Sequence, residues 1–472
     1  MDHQTFTSGR SASRIRKTQR WIERLWLLGL LLGALLLFCI NLGSLPLLNG
    51  GEKMLAQVAG EISRIPVGSW QWLYPTVDSQ VYFEKPPLLY WLIAGVYQIA
   101  NVNEWTTRLP GAILTAFSVS LLYGMGREIF PSRHSAIFSS LIYLTLFPVV
   151  LYGRLGMGDG ATLCFVMLMM WCVLRSRRDF RWALGVGMGL GLLCLTKGVV
   201  LGVLLFAIAL LFLAWDTPRL LTSGYWWLGW LLGLAPGLAW YSMPLLEGHT
   251  VTTTIVKQSL QSLWIPVKGY QENPWYYLVE LVKFSGPWLV FWSYGLGLAW
   301  RNRNWGWAKL VLIWVGVYFA AISLMATKMS WSILPLYPAL ALAGGAQLAE
   351  VWNLPTSKSY PRIWTIGLSL MSLGALAGTV YLALEEGNYS WAVVSISLAL
   401  TTAVSASLVA RRDLQFILIL FWGMYISLLL FMTSPHWSLE PLKAVPLESV
   451  AMFLKQNTPQ YLQGIQYHHV LN

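Results

Sequence analysis

The residues able to do chemistry stand in short polar interruptions of an apolar chain. The run Tyr82-Phe83-Glu84-Lys85-Pro86-Pro87-Leu88-Leu89-Tyr90-Trp91 sets an acid beside a base, ahead of two prolines that fix the backbone presenting them. Arg154 and Asp159 share a second interruption, Lys197 sits in Thr196-Lys197-Gly198, and Lys328 follows Thr327. Ionisable groups at a membrane boundary are costly unless they meet a ligand or each other. Cations so placed suit an anionic ligand. Plainer uses stand beside these. Glu84 and Lys85 can pair at the surface for about 0–1 kcal/mol, Asp159 can cap the helix beginning near Ala161, and Arg108 before Leu109-Pro110 can anchor a span at the interface. Outer cations can also reach lipid phosphates.

What must position these groups is a bundle of membrane helices. With 56% hydrophobic and 11% charged residues the chain cannot clothe an ordinary soluble surface. Its net charge of +12 lies in clusters between apolar runs, a pattern that orients a protein in a bilayer rather than one that grips nucleic acid. Cys39, Cys164, Cys172 and Cys194 fall inside apolar stretches and read as packing residues. Hydropathy places spans near 26–43, 110–126, 135–152, 161–174, 182–196, 199–215, 223–244, 285–300, 310–326, 333–349, 363–384, 391–410 and 414–432, about thirteen in all. The stretch 88–100 has roughly 13 residues against the ~20 a bilayer needs, and reads as a helix lying in the interface.

Positive-inside bias makes 1–25 a basic cytoplasmic tail, 26–434 the transmembrane domain, and 435–472 a short extracytoplasmic tail with an amphipathic helix at about 447–456. No second soluble domain is expected from so short a tail. Residues 44–109 and 246–284 become long outer loops, and Gly153 to Gly160, Lys197-Gly198 and Thr327 to Trp331 short ones. Lys53, Lys85, Arg108, Arg154, Lys197, Lys257, Lys268, Lys283 and Lys328 all fall on this outer side, against the bias. Collectively they point to an anionic ligand.

The order of these motifs resembles the membrane glycosyltransferases with the C-type fold, in the branch of protein O-mannosyltransferases and lipid A aminoarabinose transferases. That branch has an Asp-Glu pair opening the first outer loop, then Glu-Lys-Pro-Pro-Leu-Leu-Tyr-Trp, an Arg and a second Asp, Thr-Lys-Gly and Ser-Lys. Here Gly51-Glu52, Glu84-Lys85-Pro86-Pro87, Arg154 with Asp159, Thr196-Lys197-Gly198 and Thr327-Lys328 follow in that order, over about residues 26–345. Two departures stand out. Gly51 falls where the family has the Asp that is its leading candidate base, leaving Glu52 as a substitute or an acceptor that needs no base. Met329-Ser330-Trp331 replaces the family's Leu-Pro-His after its lysine.

The resemblance implies an all-α polytopic protein of the GT-C type, with interfacial helices in its first outer loop. It further implies transfer of a hexosyl or pentosyl group from a polyprenyl-phosphate donor to a lipid, an envelope glycan or a protein, with inversion, on the periplasmic face of a bacterial inner membrane. Asp159 and Glu52 are then the catalytic candidates. Glu84, Lys85, Arg154, Lys197 and Lys328 would bind donor phosphate or sugar. Tyr82, Tyr276 and Tyr277 are candidate sugar or acceptor contacts, although an interfacial aromatic belt explains such rings equally well. A divalent metal ion between Glu84 and Asp159 stays open, with no ligand spacing that demands it. His468-His469 reads as part of a frayed terminus. A transporter or flippase of a lipid-linked anion, or an inactive relative, would also have many spans and outer cations. Mid-membrane charges and an internal repeat, which a transporter favours, are not seen in the sequence.

Overall fold

The computed structural model describes residues 5–48, 51–66, 68, 69, 72–77, 80, 81, 85–246, 260, 261, 263–265, 272–353, 360–384, 389–434 and 437. Apolar runs fold as helices here because lipid offers no partner to a backbone amide or carbonyl, so each must be satisfied within its own segment. α1 (Thr5–Cys39) enters the bundle. Three helices follow, α2 (Gly51–Ser63), α3 (Leu88–Ile99) and α4 (Glu104–Ile129), with a two-residue antiparallel ladder of β1 (Thr76–Val77) and β2 (Gln80–Val81) between α2 and α3. Leu55, Val58, Ala59 and Ile62 of α2 bury themselves against Leu89, Tyr90, Ile93 and Ala94 of α3. α3 has 12 residues, too short to cross, in keeping with the interfacial helix expected there.

The chain continues through α5 (Arg133–Leu144), α6 (Phe147–Arg154), α7 (Asp159–Ser176), α8 (Ala183–Lys197), α9 (Val199–Asp216) and α10 (Gly224–Leu246). After the second long loop come α11 (Tyr276–Phe284), α12 (Trp288–Arg301), α13 (Gly306–Leu324), a 3-10 turn (Ser330–Leu336), α14 (Tyr337–Trp352), α15 (Arg362–Leu384), α16 (Tyr389–Arg411) and α17 (Gln415–Thr433). Every apolar segment named above coincides with a helix or a helix pair. By length and apolarity, nine helices among the described residues are able to cross a membrane, or ten if α5 and α6, bent by 59°, form one broken span. The difference from thirteen has physical causes: α8 and α12 have only 15 and 14 residues, and the tryptophans, tyrosines and glycines of α10 lower its hydropathy. The expected helix at 447–456 and His468-His469 lie outside the described residues, as does nearly all of the tail from 435.

Small residues bring the central helices close. A Cβ on Gly187 or Gly191 of α8 would fall 1.6 and 1.8 Å from the carbonyl oxygens of Gly229 and Gly233 of α10, so only glycine allows this approach. Thr115 of α4 donates to the Gly153 carbonyl at 3.0 Å, and a Cβ on Gly160 would sit 2.1 Å from its oxygen, which seats α6 and α7 on α4. The helices alternate in direction, so the arginine-rich ends of α4, α7 and the α7–α8 turn gather at one end of the bundle. There Glu23 pairs with Arg127 and Arg133, Glu128 with Arg175 and Arg178, and Asp216 with Arg177 and Lys309. The opposite end receives the starts of α4 and α7 and the finish of α8, and with them Arg108, Asp159 and Lys197.

Candidate functional site

Two charged clusters occupy that opposite end, and the first is closed. Glu52, in the first turn of α2, is fully buried. Its Oε1 accepts from Arg108 Nε at 3.0 Å and the Gly156 amide at 2.6 Å, while Oε2 accepts from Arg108 Nη2 at 2.7 Å and the Leu48 amide at 2.9 Å. The four acceptor positions of a carboxylate are thereby used. Arg108 spends its remaining donors on the Leu42, Leu45 and Pro46 carbonyls at 2.8 to 3.0 Å. Arg154, also fully buried, donates to the Leu37 carbonyl at 2.7 Å and to Ile40. The two guanidiniums lie over the ring of Trp437, at 5.2 Å for Arg108 and 4.7 Å for Arg154, and the indole donates to Ser44 at 3.1 Å. This knot ties the end of α1, the first outer loop, α4, α6 and the segment after α17 together. In this arrangement the acceptor positions of Glu52 are filled, and Arg154 gives its Nη atoms to main-chain carbonyls while its Nε is buried without a partner among the described residues. Arg108 is a buried ion-pair partner, not an interfacial anchor.

The second cluster is open. Asp159 is the first residue of α7, after Gly158 at the cap position, and its side chain makes no capping bond. Its Oδ1 meets Lys197 Nζ at 2.8 Å; Oδ2 is buried with no hydrogen-bond partner among the described residues. Lys197 is half-exposed at the end of α8, where Gly198, at φ +98°, lets the chain turn directly into α9. That conformation accounts for the glycine of Thr196-Lys197-Gly198. Gly158 packs against Thr196 and Lys197, where a Cβ would come within 3.3 and 3.4 Å of their side chains.

Around this pair stands a shell of tyrosines. Tyr276 shares a 2.5 Å hydrogen bond with Ser330, and Tyr277 accepts from the Met329 amide at 3.1 Å while donating to its carbonyl at 3.3 Å. Tyr152 is on α6, which packs on the turn that Ser330 opens. Lys328 is buried; its ammonium caps α13 through the Ile322 and Ser323 carbonyls and lies 5.4 Å over the Tyr277 ring. Burial pushes its pKa down. Tyr276, Tyr277 and Lys328 thus meet at the Met329-Ser330 segment, which faces α6 and α7. Sequence reading passed over Glu280 and Tyr152. The signal for Glu280 was its spacing, three and four residues after two tyrosines already singled out.

An apolar cavity of about 370 Å³ between α8, α9 and α10 leads to the same end of the bundle. Leu190, Val203, Phe206, Trp226 and Trp230 line it together with Cys194, Val199 and Tyr241, which lie at the level of Gly198, the residue after Lys197. At that level the segment between α2 and α3 docks on α10: Tyr74 donates to the Trp240 carbonyl at 3.1 Å, and Trp240 Nε1 to that of Leu73 at 3.0 Å. Leu88 joins this contact, three residues after exposed Lys85. Tyr82 and Glu84 lie outside the described residues, so the question of a metal between Glu84 and Asp159 does too. Among the described residues no three His, Cys, Asp or Glu side chains group as metal ligands.

Residues 84–241 match the dolichyl-phosphate-mannose-protein mannosyltransferase family. Two undecaprenyl phosphate-alpha-4-amino-4-deoxy-L-arabinose arabinosyl transferases of Pseudomonas fluorescens are 28% and 27% identical over 78% and 84% of this chain, matching 68% and 73% of their own lengths. The fold is similar to that of ArnT from Cupriavidus metallidurans bound to undecaprenyl phosphate, with a TM-score of 0.71 and 21% identity over 86% of this chain and 76% of that one. Family profile over residues 84–241, curated relatives and fold all make the chain similar to the polyprenyl-phosphate-sugar-dependent membrane glycosyltransferases of the C-type fold.

Proposed function

We propose that the protein transfers an amino pentose from a polyprenyl phosphate to a phosphate-bearing lipid on the periplasmic side of a bacterial inner membrane. The observation that carries this reading is the Asp159–Lys197 pair, with one carboxylate oxygen unpartnered among the described residues, at the same end of α8 as Cys194, which lines an apolar cavity. The cavity suits an isoprenoid tail, which would bring the donor phosphate up to Lys197 and the loop of Lys85. Tyr276 and Tyr277 then border the sugar, and Lys328 adds positive potential from behind them. The amino pentose is the sugar named for the curated relatives.

In the reaction an acceptor oxygen attacks the anomeric carbon from the face opposite the donor phosphate. The bond from that carbon to the phosphate oxygen breaks, its electron pair stays with the polyprenyl phosphate, and the anomeric centre inverts. Lys85 and Lys197 offset the charge gained by the leaving group. Oδ2 of Asp159 takes the acceptor's proton, if it carries one. With Glu52 fully occupied and Gly51 bringing no side chain, Asp159 is the base this arrangement offers. A carboxylate is poorly matched to an alcohol but well matched to the second proton of a phosphate, with a pKa near ~6. This is why a phosphate acceptor is favoured.

The test is transfer of labelled sugar from a polyprenyl-phosphate donor by the purified protein, offered phosphate-bearing and hydroxyl-only lipids, with Lys85→Ala and Asp159→Asn alongside. Transfer to the phosphate lipid that both variants lose supports the reading. Efficient transfer to hydroxyls alone overturns the acceptor, and undiminished transfer by Asp159→Asn overturns the base.

A further inference from the structure

We infer that Glu280 is a recognition residue for the transferred sugar, its carboxylate taking a basic amino group on the ring. This rests on the glycosyl-transfer reading and assigns a residue that it leaves unused. Glu280 is 9% exposed, on the face of α11 that also carries Tyr276 and Tyr277. Their bonds to Met329 and Ser330 hold that face against the segment packed on α6 and α7. The turn that Ser330 opens packs on α6 and on α7, the helix that Asp159 begins, so the face of α11 carrying the carboxyl is joined through that turn to the Asp159 helix.

Its surroundings explain the preference for a cation. No described residue lies within ion-pair distance. The charged and titratable neighbours are Lys283 and Glu272 on its own segment, Tyr276 and Tyr277, Tyr152 of α6 and Tyr337 of α14. Lys283 is exposed one turn away, and Lys328 spends its ammonium on the end of α13. A buried carboxylate without a cation is disfavoured, and burial raises the proton affinity of this one. A ligand that brings its own ammonium removes that cost, while a neutral hydroxyl gains only an ordinary hydrogen bond.

The experiment measures binding of two donors to the full chain in nanodiscs, polyprenyl monophosphates carrying the same pentose with an amine or a hydroxyl at one ring carbon. The parent should bind the amine donor about 10- to 100-fold more tightly. Glu280→Gln should bring that ratio toward one, and Glu280→Asp, which keeps the charge, should retain a ratio above one. Equal binding by the parent, or an undiminished ratio in Glu280→Gln, overturns the inference. A second measurement needs no variant: in the parent the ratio should grow as pH rises from the ordinary carboxylate range to neutrality and the carboxyl ionises while the amine stays charged, and a flat ratio overturns it. Transfer is followed on the same samples. Transfer by a parent without amine preference sinks the Glu280 assignment alone, whereas neither binding nor transfer of any donor sinks the glycosyl-transfer reading with it.

Discussion

The knot around Arg108 and the pair at Asp159 each set a carboxylate against a cation at the same end of the bundle, and differ in what that carboxylate has left over. In the knot, Glu52 accepts four hydrogen bonds and Arg108 has partners on each of its nitrogens. In the pair, Asp159 keeps one oxygen without a partner and Lys197 is partly open to its surroundings. Saturated buried charge holds a structure in one arrangement, because removing either member strands the other. Unsaturated charge has interaction still to offer a ligand. A charged residue in a membrane protein therefore declares its role through its unused donors and acceptors more than through its position in a motif.

Substitutions should separate the two regions sharply. Asp159→Asn should reduce transfer by about 10²- to 10⁴-fold, the range typical of a lost general base, while the thermal midpoint stays within a few degrees of the parent. A variant that unfolds early would move Asp159 into the framework. The mirror case is Glu52→Gln, expected to destabilise by about 3–5 kcal/mol because it leaves Arg108 buried without its counter-ion. Thermal unfolding in detergent reads this directly, and a stable variant with lost turnover would return Glu52 to catalysis.

Smaller effects refine the contrast. Trp437→Phe keeps a ring between Arg108 and Arg154 but loses the bond to Ser44, and should cost about 1 kcal/mol with little change in turnover. A large loss of transfer without loss of stability would show that the segment after α17 reaches the reaction itself. The weakest expected signal is a pH dependence. Burial raises the Glu280 pKa, so as pH climbs past about 4.3 the unfolded chain gives up this proton first. Stability then falls until the folded carboxyl has ionised as well. Unfolding midpoints from pH 4 to 8 should show that fall flattened in Glu280→Gln; curves that run parallel would mean that the group is solvated or paired in the folded protein.

Much of this was legible in the residues. Apolar runs near bilayer length had to become helices, and the stretch after Pro87, a helix of 12 residues, is too short to cross. Thr196-Lys197-Gly198 fell at a helix end because its glycine takes a backbone angle that other residues avoid. The spacing of Asp159 after Arg154 placed both at one boundary, yet their roles diverged. Arg154 ends α6 facing inward, onto the carbonyls that finish α1, whereas Asp159 begins α7 facing Lys197. Nothing in the local sequence distinguishes these directions.

The sequence by itself determined the class of the protein, the helices and the end of the bundle at which charge collects, since these follow from hydropathy, length and the cost of an unpaired backbone group in lipid. Only the tertiary structure decided which charges are spent. Glu52 finds Arg108 56 positions away, Trp437 reaches Ser44 across 393, and Tyr276, one turn before Glu280, reaches Ser330 across 54. Whether an acid is strut or reagent depends on donors brought to it from distant segments, and packing, not adjacency along the chain, fixes those distances.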